Sequence, residues 1–317
     1  MSVSGVCCKI NCTFVHYNII LQVRACRQIV IMKIKSPFLL LVFSLFMLSC
    51  ESKIEDPARN ILEEIRNEFA AGNYNRAKTL IDSVKSAHPK AYKTRREAEA
   101  LRHEVLIKEK ERDIAYFDSE LQRLVEQRDT MLQGFEFSKN SKYQDVGVYS
   151  VPSQAISKNV FNSYLRATVK ENGEAVITSF YRGNRIRCKS VKVSCGDVYV
   201  VAEEPVYSWT GKEYGVYVER YDFKRGNDGG LMDFIASAQD KVVVELAGER
   251  SFKYELRKDD VTAITKVKEL SDVLLSISKC REMREAAQYS LDFLMKGNDR
   301  FKKDTLQTEN GKVESEN

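Results

Sequence analysis

The sequence predicts an α+β fold. It comprises an N-terminal helical hairpin, a long antiparallel, coiled-coil-like helical stalk, and an antiparallel β domain, either a sandwich or a small barrel, inserted at the far end of the stalk. Three observations predict it. Residues 57–134 carry apolar side chains at helical spacing, residues 135–257 are rich in Val, Tyr, Gly and Asn in short alternating runs, and residues 259–297 return to a helical period. Two long helical stretches that flank one β-rich block bury their apolar stripes most economically against each other.

The helices follow in order. Pro57 suits a first helical turn, and Ile61, Leu62, Ile65 and Phe69 recur at helical spacing until Ala71-Gly72-Asn73 ends the run. Tyr74, Ala77, Leu80, Ile81 and Val84 form a second stripe, closed by His88-Pro89. Gly72, Tyr74, Ala77 and Pro89, with seventeen residues from glycine to proline, resemble the turn and second helix of a tetratricopeptide unit. The first helix matches that unit loosely and no second copy follows, so the resemblance implies one helical hairpin and not a superhelical peptide groove. A third helix is predicted over 91–133, about 60 Å long at roughly 1.5 Å per residue. Along it Ile107, Ile114, Phe117, Leu121, Leu124, Met131 and Phe135 keep a 3-4 spacing, with Arg128 at one seam position. Asp259 or Asp260 caps the last helix, over 259–297. Its stripe is Val261, Ile264, Leu270, Val273, Leu274, Ile277, Met283, Ala287, Leu291 and Leu294. Residues 298–317 are polar and are expected to be disordered.

In the β block, Tyr164 to Lys170 and Ala175 to Arg182 flank Asn172-Gly173, a hairpin signal because a two-residue turn of that kind needs positive φ at both positions. Further strands are predicted at Arg185 to Cys188, Lys192 to Ser194, Asp197 to Ala202, Gly215 to Phe223, Lys241 to Leu246 and Phe252 to Leu256. Turns are predicted at Gly183-Asn184, Gly211-Lys212, Gly226 to Gly230 and Gly248-Glu249, and a short helix at Leu231 to Ala238.

Ahead of these elements, Lys33 and Lys35 form a basic head, Phe38 to Leu48 an apolar run broken only by Ser44, and Met47, Leu48 and Ser49 lead into Cys50. The run is too short to span a bilayer, which takes roughly 20 apolar residues, and suits a cleaved signal. The stretch 32–49 resembles a bacterial lipoprotein signal peptide, and the bulky Met47 and Leu48 resemble the form common in Bacteroidota lipoproteins. That resemblance implies lipidation of Cys50, a tether over 50–56 and an over-extended start over 1–31, unless those residues are an unusually long basic head. Residues 1–49 hold five of the 50 basic residues and none of the 45 acidic ones, so the chain from Cys50 is electrically balanced. Nucleic acid, which selects a basic excess, is not an expected partner.

Cys188, Cys195 and Cys280 are then the cysteines not consumed by lipid. Cys188 and Cys195 are the one pair close in sequence, to be read as a disulfide or as free thiols. Their spacing fits no zinc pattern. His88 and His103 both fall on the helical part, and no Gly-x-Ser-x-Gly elbow is present. No catalytic residue, metal site or cofactor is indicated. Arg225-Gly226-Asn227-Asp228-Gly229-Gly230 has the residue types of a calcium or phosphate loop without the ligand spacing of either, which leaves a tight turn.

Tyr207, Trp209 and Tyr214 cluster near the predicted turn at Thr210-Gly211. They are candidate ligand contacts, able to stack on a sugar ring or a partner protein, or else strand aromatics folded into the core. The whole chain resembles Bacteroidota-type lipoproteins that join a helical hairpin, a long helix and a β domain. The resemblance implies a lipid-anchored envelope protein, membrane-bound through Cys50, on the outer membrane because Glu51 and not aspartate follows the cysteine. Its expected role is a non-enzymatic interaction or structural module. The alternatives are a β domain that binds glycan or peptide, and an enzyme working with carboxylates alone.

Overall fold

The computed structural model describes the backbone of residues 37–313 and the side chains of residues 54–297. The expected over-extended start, the basic head of the signal and the Cys50 side chain lie outside the described residues. Among those described, no helix is long and apolar enough to cross a membrane. The chain divides into two compact units, the first ending at Leu106 and the second beginning at Ile107.

The first unit contains α1 (Pro37–Ala70), α2 (Tyr74–Ala87) and the N-terminal part of α3 (Tyr92–Leu132). Ala58, Leu62 and Ile65 of α1 bury against Ala77, Leu80, Ile81 and Val84 of α2 and Ala91, Ala98 and Val105 along α3, the spacing expected of apolar helix faces. Gly72 ends α1 at φ 77°, with its N–H on Phe69 O and that of Asn73 on Glu68 O. This is a Schellman cap, which needs a left-handed residue where glycine stands.

Two boundaries differ from the sequence reading. Helix α1 runs through residues 50–56, where a tether is expected, and holds Pro57 in its interior. The turn before Pro57 is fixed by Glu55, a buried carboxylate that accepts hydrogen bonds from Lys93 N, Thr94 N and Thr94 Oγ1 at 3.2, 3.1 and 2.7 Å. Glu55 therefore serves the unpaired N–H groups at the start of α3, a task that a helix N-terminus usually gives to its own cap residue. The last helix, α5 (Lys258–Val313), continues past Asn298 into the stretch expected to be disordered. That stretch is polar, yet Lys, Glu and Gln propagate a helix once one is formed.

In the second unit, Phe117, Leu121, Leu124, Val125 and Met131 of α3 pack on Val273, Ile277 and Cys280 of α5. Cys280 lies opposite Phe117, while Met131 and Leu132, later in α3, pack on the core that holds Leu270 and Leu274, earlier in α5, so the two helices run antiparallel. Between them in sequence lie ten strands in two open antiparallel sheets. A six-stranded sheet has the order β1-β2-β3-β4-β8-β7 and a four-stranded sheet the order β10-β9-β5-β6. The strands are β1 (Glu136–Ser138), β2 (Val148–Ser150), β3 (Tyr164–Lys170), β4 (Ala175–Gly183), β5 (Ser190–Cys195), β6 (Val198–Ala202), β7 (Tyr207–Glu213), β8 (Val216–Lys224), β9 (Val242–Ala247) and β10 (Ser251–Glu255).

One face of each sheet is buried. Leu165, Ala167, Val169 and Ile177 from the larger sheet, and Val191, Val193, Val244 and Leu246 from the smaller, share a core with Ile264, Val267 and Leu270 of α5 and with Leu231, Met232 and Ile235 of α4 (Leu231–Ser237). The period-two alternation of these residues leaves the opposite face of the larger sheet for other work.

Four details of the β block depart from the sequence reading. Arg185 to Cys188 form no strand, because the buried Glu219 on β8 takes the N–H groups of Ile186, Arg187 and Cys188 at 2.7, 2.9 and 2.9 Å. Arg187 adopts φ 54° to present them together. The β7–β8 turn is Tyr214-Gly215, at φ 49° and 79°, and not Gly211-Lys212, which lies within β7. Asn172-Gly173 has positive φ at Gly173 only, and Gly173 N bonds Lys170 O at 2.9 Å, the geometry of a turn followed by a glycine bulge. Strands β1, β2 and β7 are additions to the expected set.

Candidate functional site

The outward face of the larger sheet is an ordered array of rings and guanidinium groups. Register places Tyr164, Phe180, Arg220 and Trp209 in one cross-strand row, and Arg166, Thr178, Asp222 and Tyr207 in the next. Side chains opposite one another on one face stand about 5 Å apart, so the two rows form a continuous floor. Tyr164 and Phe180 stack with ring centroids 5.2 Å apart.

A segment from the β2–β3 connection walls this floor. Strand β2 pairs with β3 only at Thr168 to Lys170, which would leave the remainder of β3 as an unpaired edge. The side chain of Gln154 takes the place of the missing strand: its amide donates to Leu165 O at 2.9 Å and accepts from Ala167 N at 3.0 Å, with a further bond to Asp260 Oδ1. Downstream, Asn159 accepts from Arg257 Nη2 at 2.7 Å. These anchors set Ile156, Asn159 and Val160 across the sheet from Tyr207 and Trp209, and the resulting cleft, lined also by Tyr164, Arg166, Thr178, Phe180, Glu213 and Arg220, has a volume of about 330 Å³. That lies at the lower end of the range for small-molecule sites.

The charges of the cleft do not cancel. Arg220 gives Nε and Nη2 to Asp222 at 3.0 and 2.7 Å, while Thr178 donates to the same carboxylate at 2.7 Å. Arg182, flanked by the rings of Phe161 and Tyr214, lies 3.9 Å from Glu213. Among the described residues, Arg182 Nη1 and Arg166 Nε are both buried without a hydrogen-bond acceptor, but Arg166 has no carboxylate within ion-pair distance either. Burial draws its pKa down, although a guanidinium stays charged at any physiological pH. An unpaired buried polar group of this kind is costly to keep.

The three aromatic residues singled out in the sequence separate here. Tyr207 and Trp209 line the cleft, with Trp209 39 % exposed and the Arg220 guanidinium 5.4 Å from the Tyr207 ring. Tyr214 is 86 % exposed on the hairpin tip and does not line the cleft. Neither cleft residue is a core aromatic. Gly211 explains how Trp209 lies: a Cβ there would stand 2.5 Å from Cζ2 of the indole, so the ring lies across a strand position that only glycine leaves open. No local signal marks Arg166, Thr178 or Arg220, since their convergence depends on strand register.

The other candidates resolve into structure. Cys188, Cys195 and Cys280 are free thiols. The first two lie beyond and at the end of an extended β5, about 20 Å apart at roughly 3.3 Å per residue, too far for a disulfide. Burial, with Glu219 nearby, pushes the Cys188 thiol up to about 11, so it is protonated and a poor nucleophile. In the Gly226 to Gly230 loop, Asp228 is buried and caps α4 through Gly230 N and Met232 N. Gly229 passes so close to β6 that a Cβ would meet Val201 O at 2.0 Å. Among the described residues no three His, Cys, Asp or Glu side chains group to hold a metal ion.

A hollow of about 440 Å³ on the first unit lies beside Ile81, Val84 and Tyr92, but its Arg95 is already committed to Pro89 O. The chain matches no family model, no curated protein and no solved structure.

Proposed function

We propose that the protein is a lipid-anchored component of a bacterial cell envelope, attached through Cys50, whose β domain is a non-enzymatic module that holds a ligand in the cleft of β3, β4, β8 and β7. The observation that carries the binding role is the cleft itself. Two aromatic side chains, Tyr207 and Trp209, face a floor on which Arg166 has no partner of its own. Buried polar groups in a folded protein are nearly always satisfied, and one left over in an open cleft is a group that a ligand can satisfy.

Binding suits this site better than catalysis by carboxylates. Glu213 is the one carboxylate lining the cleft, and the neighbouring Asp222 is held by Arg220 and Thr178, whereas hydrolysis of a glycosidic bond by carboxylates alone takes a pair with separated roles. The lipidated location rests on the Lys33-to-Cys50 pattern, and the outer membrane on Glu51.

Trp209 is the protein's single tryptophan, so its fluorescence reports the cleft directly. The full chain and its Trp209→Ala variant, applied to arrays of envelope-type glycans and short peptides, test the reading. Ligands retained by the parent and lost by the variant support it. Retention that Trp209→Ala leaves unchanged, or an array on which nothing is retained, overturns it.

A further inference from the structure

We propose that the ligand of the cleft is an acidic saccharide, whose carboxylate is taken by Arg166 beside Arg220 and whose ring lies on the aromatic residues of the sheet face. This rests on the cleft being a ligand site and adds the chemistry that the site selects.

The first step is charge. Among the cationic groups of this face, Arg220 is matched by Asp222 and Arg182 approaches Glu213, which leaves Arg166 without a counter-ion contact. A neutral ligand hydroxyl would offer Arg166 a hydrogen bond but no ion-pair partner, leaving Asp222 to act on it from a distance. A carboxylate supplies both, and its two oxygens match the planar donor fork of a guanidinium. Arg220 reinforces the choice, because its pair with Asp222 uses Nε and Nη2 and leaves Nη1 outside that pair.

The second step is shape. Trp209 and Tyr207 stand on the edge strand, Tyr164 and Phe180 are stacked in the floor, and a cleft of about 330 Å³ admits a ring or two rather than a folded segment. Aromatic faces give large contact area to the flat C–H faces of a sugar at small entropic cost.

The third step separates a saccharide from an acidic peptide. A peptide that adds to a sheet is held through main-chain hydrogen bonds to a free strand edge. Here the floor is the face of β3, β4 and β8, whose backbone groups are paired within the sheet, and the edge of β3 is filled by Gln154; the open edge of β7 is the one turned away from β8 and so away from that floor. Recognition in the cleft is therefore left to side chains, which read a ring and a carboxylate and have no main chain to match.

Oligogalacturonate and oligomannuronate, each with its neutral methyl ester and with a poly-glutamate peptide as comparison, would be titrated into the full chain by Trp209 fluorescence and calorimetry. At least one of the uronates is expected to bind about tenfold or more tighter than its ester, the loss expected of one charge-assisted contact. Arg166→Gln should abolish the preference, so that the uronate and its ester bind with the same affinity. Arg166→Lys, which keeps the charge without the fork, should recover part of the difference. Circular dichroism confirms that each variant is folded.

Equal binding of acid and ester, an Arg166→Gln variant that keeps the preference, or tighter binding of poly-glutamate would overturn the acidic-saccharide inference while the cleft remains a ligand site. If neither acid nor ester perturbs Trp209, this inference fails by itself. The array described above then decides whether the broader reading fails with it.

Discussion

Replacing Glu219 by Gln tests the central claim about how the β domain is held. Glu219 is fully buried and accepts four hydrogen bonds: Ile186 N and Arg187 N on Oε1 at 2.7 and 2.9 Å, Cys188 N and Tyr221 Oη on Oε2, both at 2.9 Å. Gln is nearly isosteric but offers one acceptor oxygen. With that oxygen at the Oε1 position, two bonds survive in neutral form, each weaker by about 1 kcal/mol than a charge-assisted bond. The amide nitrogen then faces Cys188 N–H, donor against donor, and an orphaned buried N–H costs about 1–3 kcal/mol. Tyr221 can turn its hydroxyl to accept, so it adds little. The sum is about 3–5 kcal/mol, a large share of the roughly 5–15 kcal/mol that holds a domain folded. Urea unfolding followed by Trp209 fluorescence reads the β domain, and a slope near 2 kcal/mol/M converts the loss into a midpoint shift of about 2 M. Glu213→Gln, at an exposed carboxylate of the same sheet, is the control and should shift the midpoint little. A loss below about 1 kcal/mol for Glu219→Gln would refute the claim that this carboxylate organises the Ile186 to Cys188 segment.

Three further outcomes are expected. Gly211→Ala should expel the indole of Trp209, changing the emission spectrum and weakening cleft binding with a stability change of about 1 kcal/mol or less; an unaltered spectrum would contradict the packing described. Acid should destabilise both units. Burial alone would raise the pKa of Glu55 and Glu219, but the hydrogen bonds they accept outweigh it and hold both below their ordinary value of 4.5. Their contribution is therefore complete above that value and is lost as pH falls through the folded-state values; flat urea midpoints from pH 6 to pH 3 would contradict it. Cys50→Ala should move the protein from the membrane fraction to the soluble fraction and abolish incorporation of labelled palmitate, and unchanged fractionation would refute lipidation at that residue.

The helices and the buried strands were legible because their signals are local. The stripe from Ala77 to Val84 and the alternation of Leu165, Ala167 and Val169 carry period and burial in the same residues. The misread places are those where a distant group decides the backbone. Arg185 to Cys188 has strand-like composition, but a carboxylate more than thirty positions away captures its N–H groups. Pro57 reads as a helix start until Glu55 is seen to cap a helix beginning at Tyr92. Gly211 reads as a turn because glycine usually marks one, whereas here it makes room for an indole two residues earlier. Of the site, Tyr207 and Trp209 could be found as an aromatic cluster, but Arg166 could not, since an arginine in an alternating strand looks like any solvent-facing residue.

The same registers explain why the site lies on this face. In an antiparallel sheet with one face buried, the other usually faces water through small polar side chains. The β3, β4, β8 and β7 strands instead place rings and guanidinium groups on adjacent rows, and a one-residue slip in any of them would exchange Arg166 or Trp209 with a core-facing neighbour. The β7–β8 register is fixed by the two-residue Tyr214-Gly215 turn, and the conformation before β5 by Glu219. Register errors that leave the hydrophobic core tolerable would therefore still abolish the cleft. Tyr214 accordingly belongs to the device that aligns Trp209, although it touches no part of the cleft. Tyr214→Asn, which suits a turn with positive φ at both positions, should keep ligand binding within about twofold, a change of less than about 0.5 kcal/mol. Tyr214→Pro, which cannot adopt positive φ, should lose binding and the native Trp209 emission together. Loss of binding in Tyr214→Asn with the Trp209 spectrum intact would instead make Tyr214 a direct ligand contact.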